Sequence, residues 1–182
     1  TSPGIYTYYV TSTDINGCES PPSNVTLEIY SLPSAPVVTN ESVCFGTLSP
    51  DLTATGSNIT WYSDVSLNTQ EGTGNNLSTG QTAPGIYTYY VTSTDINGCE
   101  SISSTASLEI YSLPNSPVAN NEVACVGGVI PDLVSLGSNS TWYTDAALTN
   151  IVGTNSSFAT GQTAAGVYTY YVTETNANGC ES

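Results

Sequence analysis

A long internal repeat constrains this chain more than any other feature of its sequence. The segment Thr1–Ser20 recurs at Thr82–Ser101 with one difference, Ser2 against Ala83, and again more loosely at Thr163–Ser182. Self-similarity at a fixed period indicates that one structural unit is used several times along the chain. The chain of 182 residues holds two full periods and part of a third, so a feature of one repeat is expected to recur.

Within the repeat, apolar and polar residues alternate with the period of two that is typical of strands. Leu52 and Ala54 alternate with threonines, and Leu108 and Ile110 alternate with Glu109 and Tyr111. Turn sequences recur at the short intervals typical of sandwich strands, among them the Asn-Gly turns that precede Cys18, Cys99 and Cys180. The pattern predicts an all-β chain of antiparallel sheets, each with one buried face.

Proline-containing segments at Ser31–Pro36 and Ser112–Pro117 supply the domain boundaries, since linkers between compact units are rich in such residues. They predict three pieces. Residues 1–31 are the C-terminal strands of a partial domain, 32–112 are a complete domain, and 113–182 are a domain that lacks its last strand.

The charge composition excludes several functions. The chain has 15 acidic residues and no Lys, Arg or His. Nucleic acid is not an expected partner, because phosphate neutralisation by cations supplies most of that affinity. His-based and Lys-based catalysis is impossible, and zinc sites usually need His. No apolar run is long enough to insert into a membrane, and no cofactor or catalytic residue is predicted.

A set of motifs in this chain resembles a known family. Val43-Cys44-Phe45-Gly46, Trp61-Tyr62, Gly85-Ile86-Tyr87 and Asn97-Gly98-Cys99-Glu100-Ser101 resemble the immunoglobulin-like repeat domains of secreted Bacteroidota surface proteins. The resemblance covers the whole chain and implies tandem Ig-like antiparallel β-sandwiches. The repeat itself has a period of 81 residues in this sequence. The resemblance also implies core positions for Trp61 and Trp142 and a tyrosine corner at Tyr6, Tyr87 and Tyr168.

Five cysteines recur with the repeat, at Cys18, Cys44, Cys99, Cys125 and Cys180. Two disulfide arrangements fit their spacing. One pairs Cys44 with Cys99 and Cys125 with Cys180, and leaves Cys18 unpaired or linked to another repeat. The other pairs Cys18 with Cys44 and Cys99 with Cys125. The first is preferred because each repeat then holds its own bond, and disulfides predict an extracellular location.

The unmatched Cys18 and the missing last strand predict that neighbouring copies or repeats of the same protein are partners. The chain is expected to be part of a covalently continuous array. Alternatively, residues 20–31 complete the last domain of a neighbouring copy by strand complementation.

Two other site types fit parts of the sequence. The Asp14 and Asp95 turns faintly resemble calcium loops, but later ligand positions are missing and the third copy has Asn176, so a turn role is expected. An outward face could stack on glycans; it consists of Thr7, Tyr9 and Thr11 with their copies Thr88, Tyr90, Thr92, Thr169, Tyr171 and Thr173. The sequence thus predicts a non-enzymatic, structural or adhesive stalk or filament component of a bacterial extracellular surface fibre. The alternative is a carbohydrate-binding Ig-like module of a secreted multidomain protein.

Overall fold

The computed structural model describes residues 2–182, and that range contains β-strands and no helix. The all-β prediction is therefore confirmed. The strands are β1 (Gly4–Val10), β2 (Ser23–Ile29), β3 (Val37–Val38), β4 (Glu41–Cys44), β5 (Leu52–Thr55), β6 (Ile59–Tyr62), β7 (Gln70–Thr73), β8 (Asn76–Leu77), β9 (Gly85–Ser93), β10 (Ser104–Tyr111), β11 (Leu133–Val134), β12 (Ser140–Tyr143), β13 (Ile151–Thr154), β14 (Ser157–Phe158) and β15 (Tyr171–Glu174).

The described strands form five sheets. Their strand orders are β1-β2, β3-β5-β8, β4-β10-β9-β6-β7, β11-β14 and β13-β12-β15. Trp61 pairs with Val91 between β6 and β9, and Trp142 pairs with Val172 between β12 and β15, both in antiparallel register. Residues one period apart therefore occupy matching places in the two ladders, as the repeat predicts.

The chain divides into two compact units. The first comprises the chain up to Glu41 together with Asp51–Thr79 and Tyr87–Leu108; the second comprises Ser42–Pro50, Gly80–Ile86 and Glu109–Ser182. The boundaries drawn at the prolines, 1–31, 32–112 and 113–182, stay predictions.

The core of the first unit follows the predicted alternation. Leu52 and Ala54 of β5, Ile59 and Trp61 of β6, and Val91 of β9 are at most 2% exposed, whereas the intervening threonines of β5 and β6 keep contact with solvent. The Trp61 indole N–H donates to the Gly74 carbonyl at 2.8 Å, so its polar atom is satisfied inside the core. Two sheets contribute to this core, which is the arrangement of a β-sandwich.

In the second unit, Trp142 is buried like Trp61 and donates to the Asn155 carbonyl at 2.9 Å. Its ring stacks on Phe158 with 5.6 Å between centroids, and Phe158 meets Tyr170 edge to face at 5.2 Å. The core positions that the resemblance implied for Trp61 and Trp142 are thus confirmed.

The tyrosine corner is confirmed at two of its three positions. The Tyr6 hydroxyl donates to the Ser2 carbonyl at 2.7 Å, and the Tyr168 hydroxyl donates to the Ala164 carbonyl at 3.3 Å. Both bonds reach a carbonyl shortly upstream, as this motif does at the start of its strand in Ig-like sandwiches.

Candidate functional site

The disulfide in the described chain joins Cys44 to Cys180. Cys44 ends β4, Cys180 follows the last turn, and their Cα atoms are 5.5 Å apart. Both residues belong to the second compact unit, and Cys180 is almost completely buried. Within residues 2–182, the thiols of Cys18, Cys99 and Cys125 are free.

This pairing differs from both arrangements that the cysteine spacing allowed. The preferred prediction of Cys44 with Cys99 and Cys125 with Cys180 is wrong for this structure, since Cys44 and Cys180 bond to each other at a sequence separation of 136. The spacing argument compared cysteines within one repeat or next to each other in sequence. A bond between two repeats forms only if the fold brings Cys44 and Cys180 close together. The spacing of cysteines in the sequence does not give that distance.

Cys18, Cys99 and Cys180, called here the late cysteines, each follow an Asn-Gly turn. That turn fixes the backbone of the cysteine. The Asp95 side-chain oxygen Oδ1 accepts hydrogen bonds from the backbone N–H groups of Asn97 at 2.8 Å and Cys99 at 2.9 Å. Gly98 adopts a φ of 80° in this turn, a left-handed conformation that suits glycine. The cysteine therefore leaves the turn in a defined direction.

The third copy of this turn shows whether the side chain at the Asp14 and Asp95 position forms a turn or binds calcium. Asn176 Oδ1 accepts from the backbone N–H groups of Asn178 and Cys180, both at 3.0 Å. A neutral amide thus makes the same bonds as Asp14 and Asp95. Because the carboxylate charge is not needed for this geometry, the side chains act as turn formers. Among residues 2–182, no three Cys, Asp or Glu side chains cluster as a metal site.

Two aspartates for which the sequence predicted no role organise a second kind of loop. Asp64 Oδ2 accepts from the Thr69 backbone N–H at 2.6 Å, and Asp145 Oδ2 accepts from the Asn150 backbone N–H at 2.8 Å. Backbone hydrogen bonds, led by those of Thr69 and Thr149, hold the pKa of each carboxyl below its usual range. Their recurrence at matching positions of the two repeats was the signal that could have identified them.

A glutamate next to each late cysteine of the two Ig-like repeats bonds to a neighbouring strand. Glu181 accepts from the hydroxyls of Tyr143, at 2.6 Å, and Thr173. Its hydrogen bond raises the pKa of the Tyr143 phenol, because ionisation would place a second negative charge beside the carboxylate. These hydrogen bonds hold the segment after Cys180 against the sheet, so Glu181 has a structural role.

Residues 32–112 are called here the first repeat and residues 113–182 the second. In the first repeat, the candidate face for glycan stacking is not a continuous open surface. Thr92 is fully buried and donates to Glu100 at 2.6 Å, and Tyr90 is only half exposed. Tyr9 of the β1-β2 hairpin is exposed.

The β1-β2 hairpin exposes an apolar face, which is its most unusual property. Tyr8 and Val10 of β1, with Val25 and Leu27 of β2, are 51–59% exposed. Their copies, one repeat later, are the β9 and β10 side chains Tyr89, Val91, Ala106 and Leu108, which are at most 5% exposed. The identical sequence of β1 and β9 is therefore exposed in one copy and buried in the other, and the related sequences of β2 and β10 differ in the same way.

The second repeat has a complementary gap in its sheet. In the first repeat, β9 lies between β10 and β6, and it spans Gly85–Ser93. Its copy, β15, spans only Tyr171–Glu174 and pairs with β12 on one side; no described strand pairs with its other side. Residues 166–170 are outside any strand. A strand position next to β15 is therefore open in the described chain.

The all-β topology, the buried tryptophans and the tyrosine corners define tandem Ig-like β-sandwich domains, a class that is typically non-catalytic. The chain belongs to the family of Ig-like domains described as CHU_C associated, whose family model matches residues 33–110 and 114–182. This match confirms the resemblance to tandem Ig-like repeats of Bacteroidota surface proteins. A search of curated proteins finds no match to the chain. Residues 2–182 contain no helix of the length and apolarity needed to cross a membrane.

Proposed function

We propose that this chain is a non-catalytic structural component of an extracellular fibre on a bacterial surface, built from Ig-like domains joined end to end. In this fibre, the β1-β2 hairpin of one copy occupies the open position beside β15 of another copy. The observation that carries the proposal is the contrast in burial between the hairpin face and its copies in β9 and β10.

The first repeat serves as the template for this contact. Its sheet order β4-β10-β9-β6-β7 gives the neighbours that the copies of β9 and β10 require. In the second repeat, β13-β12-β15 supplies the copies of β7, β6 and β9. The open position beside β15 is therefore that of β10, which β2 of the hairpin would fill, with β1 on the far side of β2, where β4 lies in the first repeat. Main-chain hydrogen bonds along a strand edge provide affinity, and the apolar side chains provide register.

Burial of the hairpin's apolar side chains contributes favourably to such a contact. Complete burial of a Val or Leu side chain is worth about 1.5–3 kcal/mol relative to full exposure. Since the four hairpin side chains are about half exposed already, covering them contributes roughly 1 kcal/mol each. A head-to-tail contact extends into a filament when the rotation between copies does not close into a ring.

The extracellular location rests on the disulfide and on the family. Disulfides persist in oxidising compartments and are rare where cellular thiol systems keep cysteines reduced. The absence of Lys and Arg also leaves the chain without a cleavage site for trypsin-like proteases, which suits a surface protein. Adhesion to a target would be an additional property of the same fibre.

Assembly of the purified 182-residue chain tests this proposal. Sedimentation velocity and electron microscopy across a concentration series are expected to show head-to-tail oligomers that grow into thin filaments. Leu27→Asp, on the apolar face of β2, is expected to abolish them, because it would bury a carboxylate without a partner.

Thr26→Asp is the matched control, since it adds the same charge to the opposite face of β2 and should leave assembly intact. Circular dichroism should report folded protein for both variants, as Leu27 is half exposed before assembly. A wild-type chain that stays monomeric at high concentration, or equal assembly by both variants, would contradict the hairpin contact.

A further inference from the structure

The two repeats differ at one place in their cores. In the first repeat, Ala54 and Ile59 are apolar side chains that are at most 2% exposed. Their copies in the second repeat are Ser135 and Ser140, which are equally buried and whose hydroxyl oxygens lie 2.6 Å apart in a hydrogen bond. A buried polar pair therefore replaces apolar packing at this place in the second repeat.

A carboxylate joins this polar pair. Glu174 of β15 stands at the position that Ser93 has in β9, and its Oε2 accepts a hydrogen bond from the Ser140 hydroxyl at 3.3 Å. Its Oε1 accepts from the backbone N–H groups of Ser138 and Asn139, both at 3.0 Å, and from the Ser138 hydroxyl at 3.1 Å. One side chain of β15 thus holds the turn before β12 and a buried hydroxyl.

The ionised form of Glu174 makes the stronger contact with this turn. Hydrogen bonds to a charged acceptor are roughly twice as strong as those to a neutral one. Partial burial raises the pKa of Glu174, but the N–H groups of Asn139 and Ser138 outweigh that effect and hold the pKa below its usual range. The contact is therefore complete above the unfolded pKa of about 4.3 and is lost as the pH falls through the lower folded value.

The other titratable groups on the neighbouring segments have partners of their own. Tyr143 of β12 donates to Glu181 at 2.6 Å, and Asp132, which precedes β11, accepts from a serine hydroxyl at 2.9 Å. Segment 112–121, which bonds to the residue after Ser135, has no titratable side chain. Since the chain has no Lys, Arg or His, neutral donors alone hold the charge of the Glu174 carboxylate.

We propose that Glu174 makes an acid-sensitive contact that controls the opening of the second repeat. When ionised, its side chain holds the turn at 137–139 against the end of β15. When protonated, it releases the turn, and the second repeat opens under conditions in which the first repeat stays folded. The first repeat has Ser93 at this position, where its hydroxyl donates to the Ser34 carbonyl at 2.9 Å. This inference goes beyond the proposed fibre and does not depend on the hairpin contact.

Each repeat contains one tryptophan, so the two repeats can be followed separately. Trp61 and Trp142 are both buried in their cores. Each repeat also has one loop aspartate whose pKa is lowered by backbone hydrogen bonds, Asp64 in the first and Asp145 in the second. These two aspartates are copies of each other, so a difference in acid response between the two tryptophans reports on Glu174.

Urea unfolding of the Trp61→Phe and Trp142→Phe chains at pH 7 and in acid tests the inference. Tryptophan fluorescence is measured at a dilution at which sedimentation shows monomer. The urea midpoint reported by Trp142 should fall further in acid than the midpoint reported by Trp61. Adding Glu174→Gln should lower the Trp142 midpoint at pH 7 and reduce its acid shift to that of Trp61. The Trp61 transition should stay unchanged.

Glu122→Gln is the matched control, because Glu122 is exposed in the same repeat and loss of its charge should leave both transitions unchanged. Ser138→Ala removes one donor to the carboxylate and should reduce the acid shift of Trp142 in part. Hydrogen exchange of the wild-type chain, compared between peptides from 52–93 and 133–174, gives the same comparison of the two repeats without any substitution.

Three results would overturn the inference. The first is an equal acid shift in the two repeats of the wild-type chain. The second is an acid shift at Trp142 that Glu174→Gln leaves unchanged. The third is an equal loss of that shift in Glu122→Gln. If Glu174→Gln fails to fold, the wild-type hydrogen exchange and the Ser138→Ala variant decide the outcome.

Discussion

Asp64 and Asp145 show how single carboxylates set loop structure in a chain without positive charges. Each accepts several backbone N–H groups from the residues that follow it closely. Loops of this kind let Leu67 and Leu148 adopt a φ of 56°, a left-handed conformation that bulky residues rarely take. The hydrogen bonds to the carboxylate compensate for that strain.

We predict that Asp64→Asn lowers stability at neutral pH and that its effect fades in acid. The hydrogen bonds hold the pKa of Asp64 below its usual range in the folded chain. Their contribution is therefore complete above the unfolded pKa of about 3.9 and is lost as the pH falls through the lower folded value. Denaturant unfolding of wild type and variant at pH 7 and in acid measures the difference.

Asp51→Asn removes the same charge from an exposed position and serves as the control for Asp64→Asn. A difference between wild type and Asp64→Asn that persists unchanged in strong acid would contradict the assigned role of the carboxylate.

Gly153 marks a close approach that a methyl group would disturb. A Cβ at this position would lie 2.6 Å from Phe158 Cδ2, whereas a Cβ at the matching Gly72 would lie 3.1 Å from the flexible end of Leu77. We therefore predict that Gly153→Ala costs about 1–3 kcal/mol of stability, and that Gly72→Ala costs less. Thermal unfolding of both variants tests the order, and an equal or reversed order would show that Phe158 moves aside.

At the scale of elements, the turn before each late cysteine works through hydrogen bonding. Asn176 accepts the same two backbone bonds as Asp95. We predict that Asp95→Asn is nearly neutral and that Asp95→Ala lowers stability by about 1 kcal/mol, because it removes the one oxygen that accepts both bonds. Denaturant unfolding compares the two variants, and an equally large loss from Asp95→Asn would point to a role for the charge.

The strands and turns also show which structural features can be predicted from local sequence. The alternation in β5 and β6 predicted that Leu52 and Trp61 are buried, and the structure confirms it. The repeated Asn-Gly sequences predicted turns, and Gly17, Gly98 and Gly179 have positive φ. These features follow from local geometry, since residues two apart share a face of a strand and glycine accepts left-handed conformations.

At the scale of the whole molecule, the Cys44–Cys180 bond encloses a long segment of chain. A sequence separation of 136 corresponds to about 5 kcal/mol of stabilisation by chain-entropy reasoning. We predict that Cys44→Ser strongly lowers the unfolding temperature under oxidising conditions, while Cys18→Ser does not, because Cys18 is free. Scanning calorimetry with and without reductant measures both, and reductant should bring wild type close to Cys44→Ser.

The sequence by itself determined the all-β class, the repeat, the faces of the strands, the turns and the core tryptophans, because each depends on residues close in sequence or on an evident family pattern. Tertiary structure alone decided the disulfide partner of Cys44 and the exposure of the hairpin's apolar face. Tyr8 and Tyr89 lie in the identical sequence Gly-Ile-Tyr-Thr-Tyr-Tyr-Val, yet one is exposed and the other is buried. Identical local sequences differ here because burial depends on which other strands cover a face, and that is a property of distant parts of the chain and of its partners.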